Sequence, residues 1–145
     1  MTVLTSSTLA AMAETCFGCG ADNPRGLHFA YRDLDDCAAE IDYTFDEAFS
    51  GEPGIVHGGL QATMLDEVLG HVAHRRVAEE LGRRATIVTA DFELKYRAPC
   101  PTLEPVKARA RIARIAWPSL FVEGEICSSD GNVLTSATAR WRVLD

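Results

Sequence analysis

The sequence predicts a single α+β domain in which a strongly curved antiparallel sheet of about six strands wraps around one long central helix. Three observations lead to this fold class. Residues 58–81 carry apolar side chains around much of a helical circumference, which is typical of a helix buried by its own protein. Stretches in which apolar and polar side chains alternate flank this segment, as in half-buried strands. The stretches that follow it are closely spaced, which favours antiparallel neighbours.

Two predicted strands precede the helix and four follow it. In the second strand Ala39, Ile41 and Tyr43 alternate with polar residues, which indicates one buried face. Asp130 and Gly131 mark a tight turn before the last strand. The predicted strands cover residues 27–32, 37–45, 85–96, 106–117, 120–127 and 133–143. Short connections predict that the last four strands form a meander in chain order.

The composition is that of an ordinary globular protein of 145 residues, with 47% hydrophobic and 24% charged residues. A formal net charge of −7 without a basic cluster argues against nucleic acid as a partner. No apolar run approaches the roughly 20 residues that a membrane span requires. Five scattered cysteines are typical of reduced thiols. We therefore expect a cytoplasmic protein, with a flexible leader over residues 1–15 and one domain over residues 16–145.

Cys16-x-x-Cys19 is the one cysteine pair with the spacing of metal ligands. A structural zinc site usually has four ligands, commonly including a second such pair. Only Asp22, His28 and Cys37 lie nearby in the sequence, and no second pair exists. The motif also lacks the strand–helix setting of a redox pair. The sequence therefore predicts a packed turn here, with no metal and no other cofactor.

The segment GIVHGGLQATMLDE carries the strongest chemical signal. His57, Gly58 and Gly59 open the predicted helix, and glycines there leave backbone N–H groups free to face a developing negative charge. Asp66 follows two turns later among apolar neighbours, where a carboxylate is costly unless it is paired or functional. Asp66 is thus the candidate base or nucleophile. Glu67 is its rival, although it points about 100° away around the helix.

The separation of these groups predicts a homodimer. Gly58 and Asp66 lie eight residues apart, which is about 12 Å along a helix axis. One carbonyl group cannot contact both. A second subunit related by a two-fold axis could bring its Asp66 to the first subunit's Gly58, giving two composite sites. Whether such dimers pair further into tetramers is left open.

Two motifs together resemble the hotdog-fold acyl-CoA thioesterases. They are IVHGGLQATMLDEVLG and the later TADFELKYRAPCP, and they are most similar to the branch of phenylacetate-pathway and 4-hydroxybenzoyl-CoA thioesterases. The resemblance covers roughly residues 16–143. It implies the hotdog fold, a dimeric or tetrameric assembly with the site at the subunit interface, and hydrolysis of an acyl-CoA to free acid and CoA. It does not name the acyl group.

The resemblance also implies roles for individual residues. The backbone N–H of Gly58 or Gly59 would polarise the thioester carbonyl, and Asp66 of the partner subunit would act as base or nucleophile. Thr89 would orient water or the thioester. His57 is similar to a family histidine with a positioning role, and a hydrogen-bonded helix cap is the alternative for it.

Substrate contacts are less well specified. Lys95 and Arg97 are candidates to meet the phosphates of CoA, with solvated surface charge as the alternative, and Glu67 is a further candidate near the substrate. Many relatives carry Asn or Gln about six residues before the histidine, where this chain has Gly51. Either the adjacent Glu52 replaces that contact or the contact is missing.

Two other readings of the same residues compete. The first is a non-catalytic module of the same fold that binds an acyl ligand, and a buried Asp66 argues against it because a binder does not need the acid. The second is a hydratase, which His57 and Asp66 do not match in spacing.

His71 and His74 lie late on the helix, and we expect them to face solvent.

Overall fold

The computed structural model describes residues 14–35 and 38–145. This part of the chain forms six strands, one long helix and a single turn of 3-10 helix at Glu47–Phe49. The elements are β1 (Tyr31–Asp35), β2 (Ala38–Thr44), α1 (Gly58–Leu81), β3 (Ile87–Tyr96), β4 (Pro105–Ala116), β5 (Ser119–Ser128) and β6 (Val133–Val143). Within the described ranges, no helix is both long and apolar enough to cross a membrane.

The predicted first strand begins four residues later than its sequence pattern suggests. The N–H groups of Leu27 and Phe29 donate to the carbonyls of Phe17 and Gly18 instead of to a strand. His28, between them, has a left-handed backbone with φ 60°. Residues 27–30 are therefore held by the preceding cysteine loop.

The predicted leader falls mainly on residues 1–13, which lie outside the described residues. Its last two positions, Glu14 and Thr15, are described and bond to the cysteine loop. The Glu14 carbonyl accepts from the N–H of Asp22 at 3.0 Å, and that of Thr15 accepts from the Asn23 side chain at 3.3 Å.

The sheet is antiparallel, with strand order β1-β2-β4-β5-β6-β3. The predicted meander is correct for β4 to β6 but wrong for β3, which crosses to pair with β6 at the edge of the sheet. The burial of the strands explains this order. The strands β4 and β5 bury alternate side chains in the core and contact α1 most extensively, whereas β3 leaves most of its side chains exposed.

The core lies between α1 and the curved sheet. Glycines let the two layers approach closely at two points. A Cβ atom at Gly70 would lie 2.6 Å from the Trp141 ring, and one at Gly124 would lie 3.1 Å from Leu69. The buried helical side chains include Met64, Leu65, Val68, Leu69 and Val72. Burying a side chain of this kind contributes about 1.5–3 kcal/mol to stability. Because a rotation of α1 about its axis would expose several of these side chains, their burial fixes that rotation.

The expectation that His71 and His74 face solvent is wrong. His71 is only 8% exposed, its ring stacks on Tyr31 at 4.0 Å, and its Nε2 lies 2.8 Å from the Asp33 carboxylate. The ring of His74 packs edge-on against Trp141. Burial lowers the pKa of His74 to about 4, helped by the charge of Arg84. The protein therefore buries the C-terminal half of α1 as well, which the sequence pattern does not indicate.

Candidate active site

The start of α1 is fixed by the loop that leads into it. The N–H of Val56 donates to the carbonyl of Cys100 at 2.8 Å, and the N–H of His57 donates to that of Phe49 at 2.9 Å. His57 is the N-cap residue, with an extended backbone at ψ 133°. The helix therefore begins at Gly58 with its first N–H groups facing outward.

The two glycines at the helix start differ in their hydrogen bonds. The N–H of Gly59 donates to Nδ1 of His57 at 3.0 Å, so the histidine caps its own helix. The next N–H groups, of Leu60 and Gln61, both donate to the carbonyl of His57. The N–H of Gly58 has no acceptor among residues 14–35 and 38–145. Of the two glycines that the sequence could not separate, Gly58 has the open donor.

This end of the helix borders a cleft of about 430 Å³. Tyr96 also lines this cleft, and its hydroxyl donates to the carbonyl of Gly58 at 2.9 Å. Gly51 and Glu52 line the same cleft, and a Cβ atom at Gly51 would lie 3.4 Å from the His57 Cα. The missing side chain at Gly51 therefore leaves room beside the histidine, and the exposed Glu52 is the adjacent polar residue.

Sequence reasoning missed Gln61, which is only 4% exposed and lines the same cleft. Its side-chain amide donates to the carbonyl of Val56 at 2.9 Å, and its carbonyl oxygen accepts from the hydroxyl of buried Thr135. These two bonds tie the first turn of α1 to the entry loop and to β6. A polar side chain inside an otherwise apolar helical stripe was the signal that could have identified it.

Asp66 is half-buried on α1, two turns beyond Gly58. The hydroxyl of Thr89 donates to its Oδ1 at 2.8 Å. Burial raises the pKa of Asp66, the charge of Glu67 adds to the rise, and the hydrogen bond from Thr89 opposes it. The pairing of β3 with β6 is irregular between Thr89 and Asp91, so the threonine lies at a bulge. The structure thus joins two of the residues that the sequence singled out.

Glu67 turns to another side of the helix. Its carboxylate accepts from the Cys16 thiol at 3.2 Å and from the Tyr31 hydroxyl at 2.5 Å. It therefore has partners within its own chain, in the N-terminal loop and β1. Its expected role as a substrate contact remains a prediction.

Lys95 and Arg97 both line a groove on the sheet, and Arg97 also reaches the cleft at the helix start. Arg97 lines the cleft at the helix start, and its Nε donates to the Ser136 hydroxyl at 3.0 Å. Lys95 pairs with Ser136 in the sheet register and lies in the groove on the sheet, which Arg97 and Arg109 also line. Within the described chain, only Arg97 of these two borders the cleft.

Comparison with known proteins identifies the family. The profile of the thioesterase superfamily matches residues 53–135, which include the helix start, Asp66 and Thr89. Acyl-coenzyme A thioesterase THEM4 of Rattus norvegicus is 34% identical over 96 residues, which are 66% of this chain and 38% of that protein. The matched part of the chain therefore spans well under half the length of this curated relative.

Solved structures share the fold. The E. coli PaaI protein from the phenylacetic acid degradation operon has a TM-score of 0.78 at 12% identity, covering 99% of this chain and 97% of that one. The protein smu.793 of Streptococcus mutans UA159, bound to acetyl CoA, has a TM-score of 0.70 at 15% identity, covering 80% and 88%. Together with the matched profile, the curved six-stranded sheet around one helix establishes that this chain belongs to the thioesterase superfamily and has the hotdog fold.

Proposed function

We propose that this chain hydrolyses the thioester of an acyl-CoA to free acid and CoA. One observation carries the proposal: α1 has an open backbone N–H at Gly58 and, two turns later, a half-buried carboxylate at Asp66. A donor and a base on one element are the two groups that acyl transfer to water requires. Membership of the thioesterase superfamily and the activity named for the rat relative support this assignment.

In the proposed reaction the thioester oxygen accepts a hydrogen bond from the N–H of Gly58. The helix N-terminus contributes a partial positive charge there, which stabilises the oxyanion as the carbonyl carbon becomes tetrahedral. Water attacks that carbon while Asp66 takes its proton, or the Asp66 carboxylate attacks directly and water hydrolyses the resulting anhydride. In both routes the tetrahedral adduct collapses with cleavage of the C–S bond, and the CoA thiolate leaves and is protonated; in the second route this cleavage forms the anhydride, which water hydrolyses afterwards.

The environment of Asp66 suits a base. Burial raises its pKa, and a carboxylate with a raised pKa is a stronger proton acceptor once ionised. The hydroxyl of Thr89 fixes Oδ1, and no group within residues 14–35 and 38–145 bonds to Oδ2, which can therefore face water or substrate. Thr89 is thus a positioning residue in this proposal.

We place the complete site between two subunits. In one chain Gly58 and Asp66 lie on the same helix, about 12 Å apart along its axis. The strand β3 touches both positions, because Thr89 near one end contacts Asp66 and Tyr96 at the other end contacts Gly58. Antiparallel pairing of β3 with its own copy would therefore bring Asp66 of one subunit towards Gly58 of the other.

The edge of β3 is suited to such pairing. It bonds to β6 on one side, and no described strand pairs with its other side. Its exposed apolar side chains include Val88 at 39% and Tyr96 at 56%. A long exposed edge strand with apolar side chains is a template for a second chain. A dimer, or a pair of dimers, is thus the proposed assembly.

For the CoA moiety, the bound acetyl CoA in the Streptococcus mutans structure supports a CoA ester as substrate. Arg97 at the rim of the cleft is the proposed contact for a phosphate, and Lys95 would contact CoA only from its neighbouring groove. A cytoplasmic location is also proposed.

The first experiment measures release of free CoA thiol from aryl, short-chain and long-chain acyl-CoAs. We expect turnover by the wild-type protein and a loss of about 10²–10⁴-fold in Asp66→Asn. Asp130→Asn, which removes an exposed carboxylate in the turn between β5 and β6, should keep wild-type turnover. If the protein binds an acyl-CoA but hydrolyses none of the panel, the function is that of a non-catalytic acyl-binding module. Full turnover by Asp66→Asn would show that the carboxylate is wrongly assigned.

A mixing experiment tests the composite site. Asp66→Asn and Gly58→Pro, each inactive alone, are unfolded together and refolded in equal amounts. Random pairing makes about half of the dimers mixed, and each mixed dimer has one intact site, so about one quarter of wild-type activity should return. A site contained within one subunit would recover no activity, because every chain then carries one defect.

A further inference from the structure

Cys16, Cys19 and Glu67 form a cluster that the proposed reaction does not use. One oxygen or sulfur atom from each of them lies within 4.8 Å of the other two. The sequence supplied only the two cysteines, and the missing third group comes from α1, 48 or more positions further along the chain. His28, the nearest histidine in the sequence, turns away and bonds to the carbonyl of Asn23.

The spacing of the cluster is close to that of a metal site. In a tetrahedral site with a metal–sulfur distance of ~2.3 Å and a metal–oxygen distance of ~2.0 Å, sulfur and oxygen lie about 3.5 Å apart. Two sulfur atoms in such a site lie about 3.8 Å apart. The Cys16 sulfur is 3.2 Å from Oε1 of Glu67. Small rotations of these side chains would therefore make room for a cation.

The groups around Glu67 aim its carboxylate at the thiols. The Tyr31 hydroxyl holds Oε2, which leaves Oε1 towards Cys16. The Tyr31 ring stacks on His71 at an interplanar angle of 6°, and His71 is in turn held by Asp33. Outer partners that orient a ligating carboxylate in this way are typical of built metal sites.

The loop is also shaped to admit Glu67. A Cβ atom at Gly18, between the two cysteines, would lie 2.2 Å from the Glu67 side chain. The carbonyl of Gly18 accepts from the N–H of Phe29, and that of Phe17 accepts from Leu27. The backbone that presents both thiols is therefore held in place before any cation binds.

We propose that Cys16, Cys19 and Glu67 bind one divalent cation of the zinc class, with water as the fourth ligand. Two thiolates and a carboxylate suit zinc or cobalt(II) and do not suit magnesium or calcium. Binding releases the thiol protons to solvent. The cation joins the N-terminal loop to α1 next to Asp66, so its role is structural.

The test is a titration of the reduced, metal-stripped protein with cobalt(II), followed by absorbance. We expect thiolate-to-cobalt charge-transfer bands that saturate at about one cobalt per chain and disappear when zinc displaces it. Zinc should also raise the unfolding temperature of the wild-type protein, since a cation that binds the folded state stabilises it.

Variants assign the ligands. Cys16→Ser and Cys19→Ser should each lose most of the charge-transfer absorbance, and Glu67→Gln should bind cobalt at least about tenfold more weakly. Cys127→Ser, which removes a half-buried thiol on β5, should titrate as the wild-type protein does. The proposal is overturned if the wild-type protein shows no thiolate-to-cobalt bands, or if Cys127→Ser loses them. The absence of these bands in the wild-type protein is sufficient to reject the site, even if a cysteine variant fails to fold. No readout depends on thioester hydrolysis.

Discussion

Replacing Gly58 by proline removes one hydrogen-bond donor and little else. Proline lacks the backbone N–H, and Gly58 is the first residue of α1, a position where proline is well tolerated. A residue before proline prefers an extended backbone, and His57 already has φ −52° and ψ 133°. No hydrogen bond of the described protein is lost, because the N–H of Gly58 has no acceptor within residues 14–35 and 38–145.

The expected loss follows from the role of that donor. Removing one donor to an oxyanion costs about 2.7–4 kcal/mol in the transition state, which is a loss of about 10²–10³-fold in kcat. Stability should change in the opposite direction, since proline at a compatible site stabilises a protein by about 0.4–1 kcal/mol through the unfolded chain. The combination of much lower activity and an unchanged or higher Tm separates loss of a donor from damage to the fold.

The matched control is Gly58→Ala. A Cβ atom there would lie 3.5 Å from the Tyr96 ring, which is an ordinary contact, and the N–H is retained. The assay is thiol release from the best acyl-CoA of the panel, with the Tm of both variants measured by calorimetry. We expect Gly58→Ala to stay within a few-fold of the wild type. If Gly58→Pro stays there too, the open N–H is not the donor and the reasoning is refuted.

Two further predictions concern charge. Thr89→Ala removes the hydrogen bond that lowers the pKa of Asp66, so the acidic limb of the kcat/KM profile should move to higher pH, whereas Thr89→Ser should keep it. Identical limbs in both variants would contradict this role. Burial would raise the pKa of Glu40, but hydrogen bonds from neighbouring arginines hold it below its ordinary value. Its stabilisation is therefore present above the unfolded pKa and lost as pH falls through the folded one. Glu40→Gln should lower the free energy of unfolding by about 1 kcal/mol at neutral pH, since its partners are half-exposed. Urea melts should show a smaller loss for Asp42→Asn, and equal losses would contradict the assignment.

Several elements could be predicted from the sequence because their signals are local. The bounds of α1 match the prediction, and Gly82 ends it in the left-handed conformation that favours glycine. The last strand also has its predicted bounds. Alternating side chains determine each strand separately, but they do not specify its neighbours. The position of β3 beside β6 depends on which strands cover the helix, and that is a property of the whole core.

The candidate site divides in the same way. The sequence by itself singled out the candidate groups, because a histidine, two glycines and an acid at fixed spacing are visible in one short segment that also forms one helix. Only the tertiary structure decided that His57 occupies the N–H of Gly59 and leaves that of Gly58 open. It also turned Glu67 away from Asp66 towards Cys16 and Tyr31. The physical reason is that contacts between distant segments set both outcomes. The entry loop that positions His57 is held by the carbonyls of Phe49 and Cys100, and the partners of Glu67 lie 36 and 51 positions away from it in the chain.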